Sequence, residues 1–337
     1  MNTPHTGRRR LLRFAGTGAA ALGCPAWLLL GAGGAYAQGG YPSRPIRLVV
    51  PFTPGGGTDL VARTVGEGMA RELGQSVIVE NKPGGGTVIG SDLVAKAPGD
   101  GYTLLLTTSA HAINTSLVKG LPYSTDKSFS NVSLVARGPN MLVTSPNRPY
   151  RTVQDVIAAA RANPGKLTYG SSGNGTAVHL AGELFKMMAN IDITHVPYRG
   201  AGPAYNDLMG GQIDLVFATA AGAGKFVESG KMRALGVTSK ARSPSWPQVP
   251  TIAESGLAGY EADVWYALFA SGGTPPEVVA RLNSAVRRAI EAPIFHDRVA
   301  SEGLVASPSS PEELARYVRS EEVRWRKVVV EGKVTID

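Results

Sequence analysis

Residues 46–59 read IRLVVPFTPGGGTD: an apolar run, a turn carrying two prolines, then three glycines ahead of Thr58 and Asp59. A short, continuous apolar run bounded by turn formers is the pattern of a strand buried on both faces. The following stretch, LVARTVGEGMAREL (60–73), sets Leu60, Val61, Val65, Met69 and Leu73 on one side of a helix. A strand that feeds a helix through glycines leaves unpaired N–H groups and the positive end of the helix dipole beside small residues, an arrangement that favours an anion.

The same plan continues outward. SVIVE (76–80) is a second strand, NKPGGGT (81–87) a second glycine loop, 88–97 a helix, PGDG a turn and YTLLLTT (102–108) a third strand. After Pro164 the order recurs: KLTYG (166–170), the loop SSGNGT (171–176), a helix over 177–190, ITHVPY (193–198), the loop RGAGP, a helix through Leu208 and the strand IDLVFAT (213–219). Alternating strands and helices predict mostly parallel sheets flanked by helices, and two copies predict two similar α/β lobes. The stretches 134–152 and 233–257 are expected as links between lobes. Two crossings place 38–142 and 260–337 in lobe 1 and 143–259 in lobe 2. PPEVVARLNSAVRRAIEAPIF and PEELARYVRSEEVRWRKVV are expected as amphipathic helices with solvated charged faces.

The N-terminus is expected to be an address label. A basic segment, GRRRLLRF, precedes an Ala/Leu/Gly-rich stretch and the small-residue site Ala35-Tyr36-Ala37. Arg8-Arg9 is of twin-arginine type, with the general export route as the alternative. Cleavage after Ala37 takes 37 residues from 337 and removes Cys24, the one cysteine, so neither disulfides nor thiolate metal sites are expected. It also removes four arginines and lowers the net charge from +8 to +4. That mild excess suits small anions and not nucleic acid, which calls for a clustered basic stripe.

In open parallel sheets ligands sit beyond the carboxyl ends of the strands. Here those ends carry PFTPGGGT, NKPGGGT, TTSAHA, GSSGNGT, YRGAGP and ATAAGAG, which bring Ser109 and Thr219 among the candidates. The alternative is that these glycines only make tight strand-to-helix turns, with Thr58 or Asp59, and Thr176, as helix N-caps. GSSGNG is neither a nucleophile elbow nor a dinucleotide fingerprint, and no phosphate-loop motif occurs. The enzymatic alternative is a hydrolase of small carboxylic esters that uses His179 with a neighbouring hydroxyl such as Ser171, Ser172 or Thr176. His111, His179, His195 and His296 lack metal-ligand spacing, so neither metal nor cofactor is expected. Trp265 and Phe52 are read either as core aromatics or as cleft walls.

The segments PFTPGGGTDLVAR, VENKPGGGTVIGSDLVAKAPGDGYTLL, YGSSGNGTAVHLAGELF, THVPYRGAGPAYNDLMGGQIDLVF and SPEELARYVRSEEVRWRKVV resemble, in order, the Bug (Bordetella uptake) family. These are extracytoplasmic receptors of tripartite tricarboxylate transporters. The resemblance implies a periplasmic Venus-flytrap receptor, not an enzyme: a monomer with two α/β lobes and a cleft that holds a small carboxylate largely by backbone groups. By this likeness Phe52, Thr53, Pro54, Gly55, Gly56, Gly57, Thr58 and Asp59 form one grip. Ser171, Ser172, Gly173, Asn174, Gly175 and Thr176 form the other, with His179, Arg199, Gly200 and Ala201 nearby. Transporter membrane subunits or a sensor would be the partner. WYALFASGGTP (265–275) departs from the family's W-x-G-L-x-A-P-A-G-T-P at Ala267, Ser271 and Gly272, which leaves the identity of the solute open.

Overall fold

The computed structural model describes residues 40–198, 200–300 and 303–335. The address label, with Cys24 and the cleavage site at Ala37, and also Arg199 lie outside the described residues.

The first repeat comprises β1 (Ile46–Val50), α1 (Gly57–Leu73), β2 (Val77–Asn81), a 3-10 turn (Gly85–Thr87), α2 (Val88–Ala95) and β3 (Thr103–Thr108). There follow α3 (Ala110–Leu117), β4 (Phe129–Gly138), β5 (Asn140–Thr144) and α4 (Val153–Ala162). The second repeat is β6 (Thr168–Ser171), α5 (Ala177–Ala189), β7 (Thr194–Pro197), α6 (Ala201–Met209) and β8 (Leu215–Thr219). The rest is α7 (Ala220–Glu228), β9 (Arg233–Val237), β10 (Val264–Ser271), α8 (Pro276–Glu291), α9 (Pro293–Ala300), β11 (Val305–Ala306) and α10 (Pro311–Glu331).

Each repeat builds the same half-sheet. β1 pairs in parallel with β2 on one side and β3 on the other, and β6 does the same with β7 and β8. The next strand over is antiparallel in both sheets and comes from outside the repeat, β10 against β3 and β5 against β8. β4 then pairs with β10 and β9 with β5, again antiparallel, so β4 and β9 regain the direction of the repeats; β11 closes one edge. The full orders are β11-β4-β10-β3-β1-β2 and β7-β6-β8-β5-β9. Each α/β sheet is therefore mostly co-directional, with its reversed strands supplied by other segments.

The two stretches expected as plain links open with strands. β4 ends and β5 lies within 134–152, and β9 opens 233–257. Their partners are distant in sequence, with Asn140 opposite Thr219 and Met141 opposite Val237, so local patterning gave little sign of them. Thr152 and Asp155 form a capping box at the start of α4, a helix the sequence reading left out although T-V-Q-D carries its signature. The chain changes sheets at Pro139, just ahead of β5, and returns between β9 and β10. Asn140 fastens this double crossing: its N–H donates to Thr238 Oγ1 (2.8 Å) and its Nδ2 to Ala262 O (2.6 Å).

The predicted face of α1 is the buried one, with Val61, Val65 and Met69 wholly enclosed. α1 can approach α8 closely because Gly68 has no side chain: a Cβ there would lie 2.5 Å from that of Ala289. The charged faces of the C-terminal helices are not simply solvated. Arg288 pairs with Glu72 and Arg298 with Glu67, and Glu321 is buried, its Oε2 accepting the indole N–H of both Trp265 and Trp325 at 3.0 Å. Trp265 is thus a wholly buried core residue and not a cleft wall. By the period-two alternation of β10, its neighbour Tyr266 faces the opposite side, toward α1.

Candidate functional site

The β1–α1 loop is held in shape from behind. Asp59 Oδ2 accepts the Gly55 N–H (3.0 Å) and Arg63 Nε (2.9 Å), while Oδ1 accepts Asn81 Nδ2 (2.9 Å), which also donates to Phe52 O (3.1 Å). Burial opposes ionisation of Asp59, but the Arg63 guanidinium, the Gly55 N–H and Asn81 outweigh it and keep the carboxyl below its usual range. Asp59 is buried and fully engaged, so its charge is turned away from the loop's open side. The N-cap of α1 is Gly56, not Thr58 or Asp59, and no side chain caps it. The first intrahelical bond is from Leu60 N–H to Gly56 O, which leaves the amides of Gly57 and Thr58 at the helix mouth. Thr53, Pro54, Gly55 and Gly56 are exposed, and half-buried Phe52 packs against the core beneath.

Gly57 brings this mouth close to the other sheet. A Cβ at Gly57 would lie 3.3 Å from Tyr266 Oη and 3.9 Å from Ala221 Cβ, in the first turn of α7. Thr219 caps that helix by accepting the Gly222 N–H at 3.1 Å.

The second glycine loop makes the other approach. Gly84, Gly85, Gly86 and Thr87 have φ of 130°, 56°, 60° and 83°, a left-handed run that ends on a buried threonine. Asn114 of α3 supports it, Nδ2 donating to Gly86 O (2.9 Å) and Thr87 Oγ1 (3.1 Å). A Cβ at Gly86 would come within 3.6 Å of Asn174 O, and one at Gly175 within 3.2 Å of Leu117 Cδ2. Tyr266, Gly86, Thr87 and Asn114 were not among the sequence candidates. NKPGGGT gave a signal for the loop, but nothing local announces Asn114 or Tyr266.

Loop 171–176 is braced by side chains below it. Ser171 Oγ lies 2.7 Å from His195 Nε2 and accepts the Gly173 N–H at 3.1 Å. Thr176 is the N-cap of α5, as expected, and its Oγ1 also donates to Gly173 O at 2.7 Å. Gly175 N–H donates to His179 Nδ1 at 3.1 Å, and the His179 ring stacks on His195 with centroids 4.0 Å apart. Burial, reinforced by Lys186, pushes His179 down to about 4. Burial and the His179 ring push His195 down to about 3. Ser172, Gly173 and Asn174 sit half-buried above this support, and His179 itself is buried. The His179 imidazole accepts the Gly175 N–H and bonds no hydroxyl among the described residues; the hydroxyl–imidazole contact joins Ser171 and His195 instead.

Ala201 begins α6 after Gly200, whose φ is 112°. Ser109 precedes α3 and is wholly buried, with no hydrogen bond to its Oγ. Six helices, α1, α2, α3, α5, α6 and α7, thus start beyond the carboxyl ends of strands in the two sheets, and their loops carry few charges. A surface hollow of about 740 Å³ lies elsewhere, beside β9 and the start of α4, and none of the glycine loops lines it. Among the described residues no group of three or more His, Cys, Asp and Glu side chains is placed to hold a metal ion.

A family model described as the tripartite tricarboxylate transporter family receptor matches residues 61–333. The UPF0065 protein of the tcbD-tcbE intergenic region of Pseudomonas sp. strain P51 is 42% identical over 295 residues, covering 87% of this chain and 88% of that one. The periplasmic binding protein BugD superposes with a TM-score of 0.81 at 34% identity, over 88% of this chain and 99% of its own. Rpa4515 of R. palustris, solved with adipate, gives 0.82 at 36% identity, again over 88% and 99%.

Proposed function

Since this chain belongs to the tripartite tricarboxylate transporter receptor family, we propose that it captures a small carboxylated solute between its two sheets and presents it to a membrane transporter or a sensor. Members of this family are periplasmic receptors, and export with cleavage near Ala37 is the matching proposal for the N-terminus. The two sheets act as lobes joined at Pro139 and through residues 238–263. The observation that carries the reading is the meeting of glycine loops from both sheets, Gly57 against Ala221 and Gly86 against Asn174, at helix starts rich in backbone N–H.

In this account the solute's carboxylate accepts N–H groups at the mouth of α1 and along loop 171–176. Gly56, Gly57 and Thr58 form the first grip, and Ser172, Asn174 and Thr176 the second, with Gly55 and Gly173, whose N–H groups bond Asp59 and Ser171, shaping them; Arg199, Ala201 and Thr219 are further proposed contacts. Asp59 and His179 act from behind, by holding those loops. A solute that touches both lobes binds the closed arrangement better than the open one, and that difference is what drives closure.

A panel of small mono- and dicarboxylates, each beside its amide, tests this by thermal shift. A ligand that binds only the folded state at one hundred times its dissociation constant adds about 2.7 kcal/mol of stability. At least one acid is expected to raise the melting temperature while its amide does not. Equal responses to acids and amides, or none to any acid, would refute the proposal.

A further inference from the structure

The stacked imidazoles below loop 171–176 take no part in the grip proposed above. Their placement is nevertheless specific. Gly173 and Gly175 have φ of 128° and 74°, so the loop does not hold its shape by ordinary backbone preference. Its restraints are the Ser171 Oγ–Gly173 contacts, the Thr176 cap, and the bond from Gly175 N–H to His179 Nδ1. That last bond requires a lone pair on Nδ1, which fixes His179 as the neutral tautomer protonated at Nε2. His195 lies flat against it, sandwiched between His179 and Tyr169, with centroids 4.0 and 4.8 Å away.

The geometry points to His179, seated on His195, as the positioning residue that shapes loop 171–176 for the solute, so that protonating its ring undoes the grip. This rests on the carboxylate reading of the cleft. A proton on Nδ1 would set two donors, Nδ1–H and the Gly175 N–H, against each other at 3.1 Å, and the amide must then turn away. Ser171 is less sensitive, because a protonated His195 still donates to its hydroxyl. The ionisable groups around the pair are Tyr169 on β6 and Glu183 and Lys186 on α5. Glu183 accepts from Tyr169 Oη (2.5 Å) and pairs with Lys186 (3.1 Å), so no carboxylate is bonded to either ring to stabilise a proton there. Lys186 adds to the cost of a positive ring at His179, whereas at His195 burial and the His179 ring oppose a proton and the nearby Glu183 charge partly favours it.

Two measurements test this. In the first, adipate is titrated calorimetrically from pH 8 to pH 4 into wild type, His179→Asn and His179→Ala, with circular dichroism confirming the fold at each pH. The Asn amide oxygen replaces Nδ1 as acceptor and does not titrate. His179→Asn should bind within about fivefold of wild type at pH 8, while His179→Ala binds more than tenfold more weakly, as expected for one lost buried bond. As the pH falls from about 5 to 4 wild type should lose about twofold in affinity relative to His179→Asn, the loss expected when half of the free protein carries the proton. Comparing variants at the same pH cancels the titration of adipate itself.

The second measurement needs no ligand. The exchange protection of the Gly175 amide should be high in wild type and His179→Asn at neutral pH, low in His179→Ala, and should fall in wild type alone as the pH approaches 4. Equal pH profiles for wild type and His179→Asn, or Gly175 protection that does not depend on pH, would overturn the proposal. Failure of adipate to bind at any pH bears on the choice of solute and not on the carboxylate reading, and Gly175 exchange then decides the role of His179 alone.

Discussion

Gly56→Asp separates a solute-gripping role for the first glycine loop from a chain-turning one. The backbone at Gly56 has φ −90° and ψ 174°, which any residue adopts, and a Cβ there would meet nothing within 4 Å. The substitution is therefore free of the left-handed strain that an equivalent change at Gly55, with φ 83°, would bring. As an N-cap, aspartate is favoured over glycine by a few tenths of a kcal/mol, so the melt should be unchanged or slightly raised. Binding should respond in the opposite sense. Two like charges about 4 Å apart repel by roughly 4 kcal/mol at an effective dielectric near 20, and by about 1 kcal/mol where water screens them fully. The expected loss of affinity is thus between about fivefold and a thousandfold, nearer the upper figure if closure excludes water. Gly56→Asn, neutral and of the same size, should lose much less. Calorimetric titration with the best acid of the panel, beside a thermal melt of each variant, makes the comparison. Folded Gly56→Asp protein with unaltered affinity would refute the reasoning.

Other expectations concern the supports behind the site. Removing Asn114 (Asn114→Ala) takes both donors from the left-handed loop and should cost about 1–3 kcal/mol in denaturant unfolding and weaken solute binding. Glu321→Ala leaves two buried indole N–H groups unpaired, so it should lower stability by about 1–3 kcal/mol per indole and leave affinity unchanged. His111, His179 and His195 are pushed down by burial to about 3, 4 and 3. Above about pH 6.5 both folded and unfolded chains hold them neutral. Below it these rings take up protons only in the unfolded chain, so stability should fall as the pH falls, by at most about 1.4 kcal/mol per unit for each ring, offset in part by Asp263, whose carboxyl is pushed up to about 7 by burial and which gains its proton first in the folded chain. Urea midpoints that stay level from pH 7.5 to pH 4.5 would contradict that.

The architecture was legible where neighbouring residues decide it. IRLVV, YTLLLTT and IDLVFAT announce buried strands by continuous apolar runs, and the glycine loops between them and their helices mark where the sheets open. Recurrence of that order was enough to foresee two like sheets. β5 and β9 escaped notice because each is defined by antiparallel partners far away in the chain, and their short apolar runs stand between prolines and serines that read as linker. The site divided in the same way. Gly55, Gly56, Gly57 and the 171–176 loop follow from strand-end composition. Asp59 was expected in the grip itself and His179 beside one; their contacts as supports depend on Asn81, Arg63 and Gly175, which no spacing in the sequence specifies. Tyr266 was overlooked beside Trp265 because a strand buried on both faces gives no alternation of polarity to show which aromatic turns toward α1.

The central claim is that one carboxylate is held at once by backbone N–H groups of both sheets. It is tested most directly by following backbone amide resonances while the acid with the largest thermal shift is titrated in. The account predicts that the amides of Gly57 and Thr58 in the first sheet and of Asn174 and Ala177 in the second shift together, with a single dissociation constant, and that the corresponding amide compound moves neither set. Shifts confined to one sheet, or equal shifts with the uncharged compound, would contradict it.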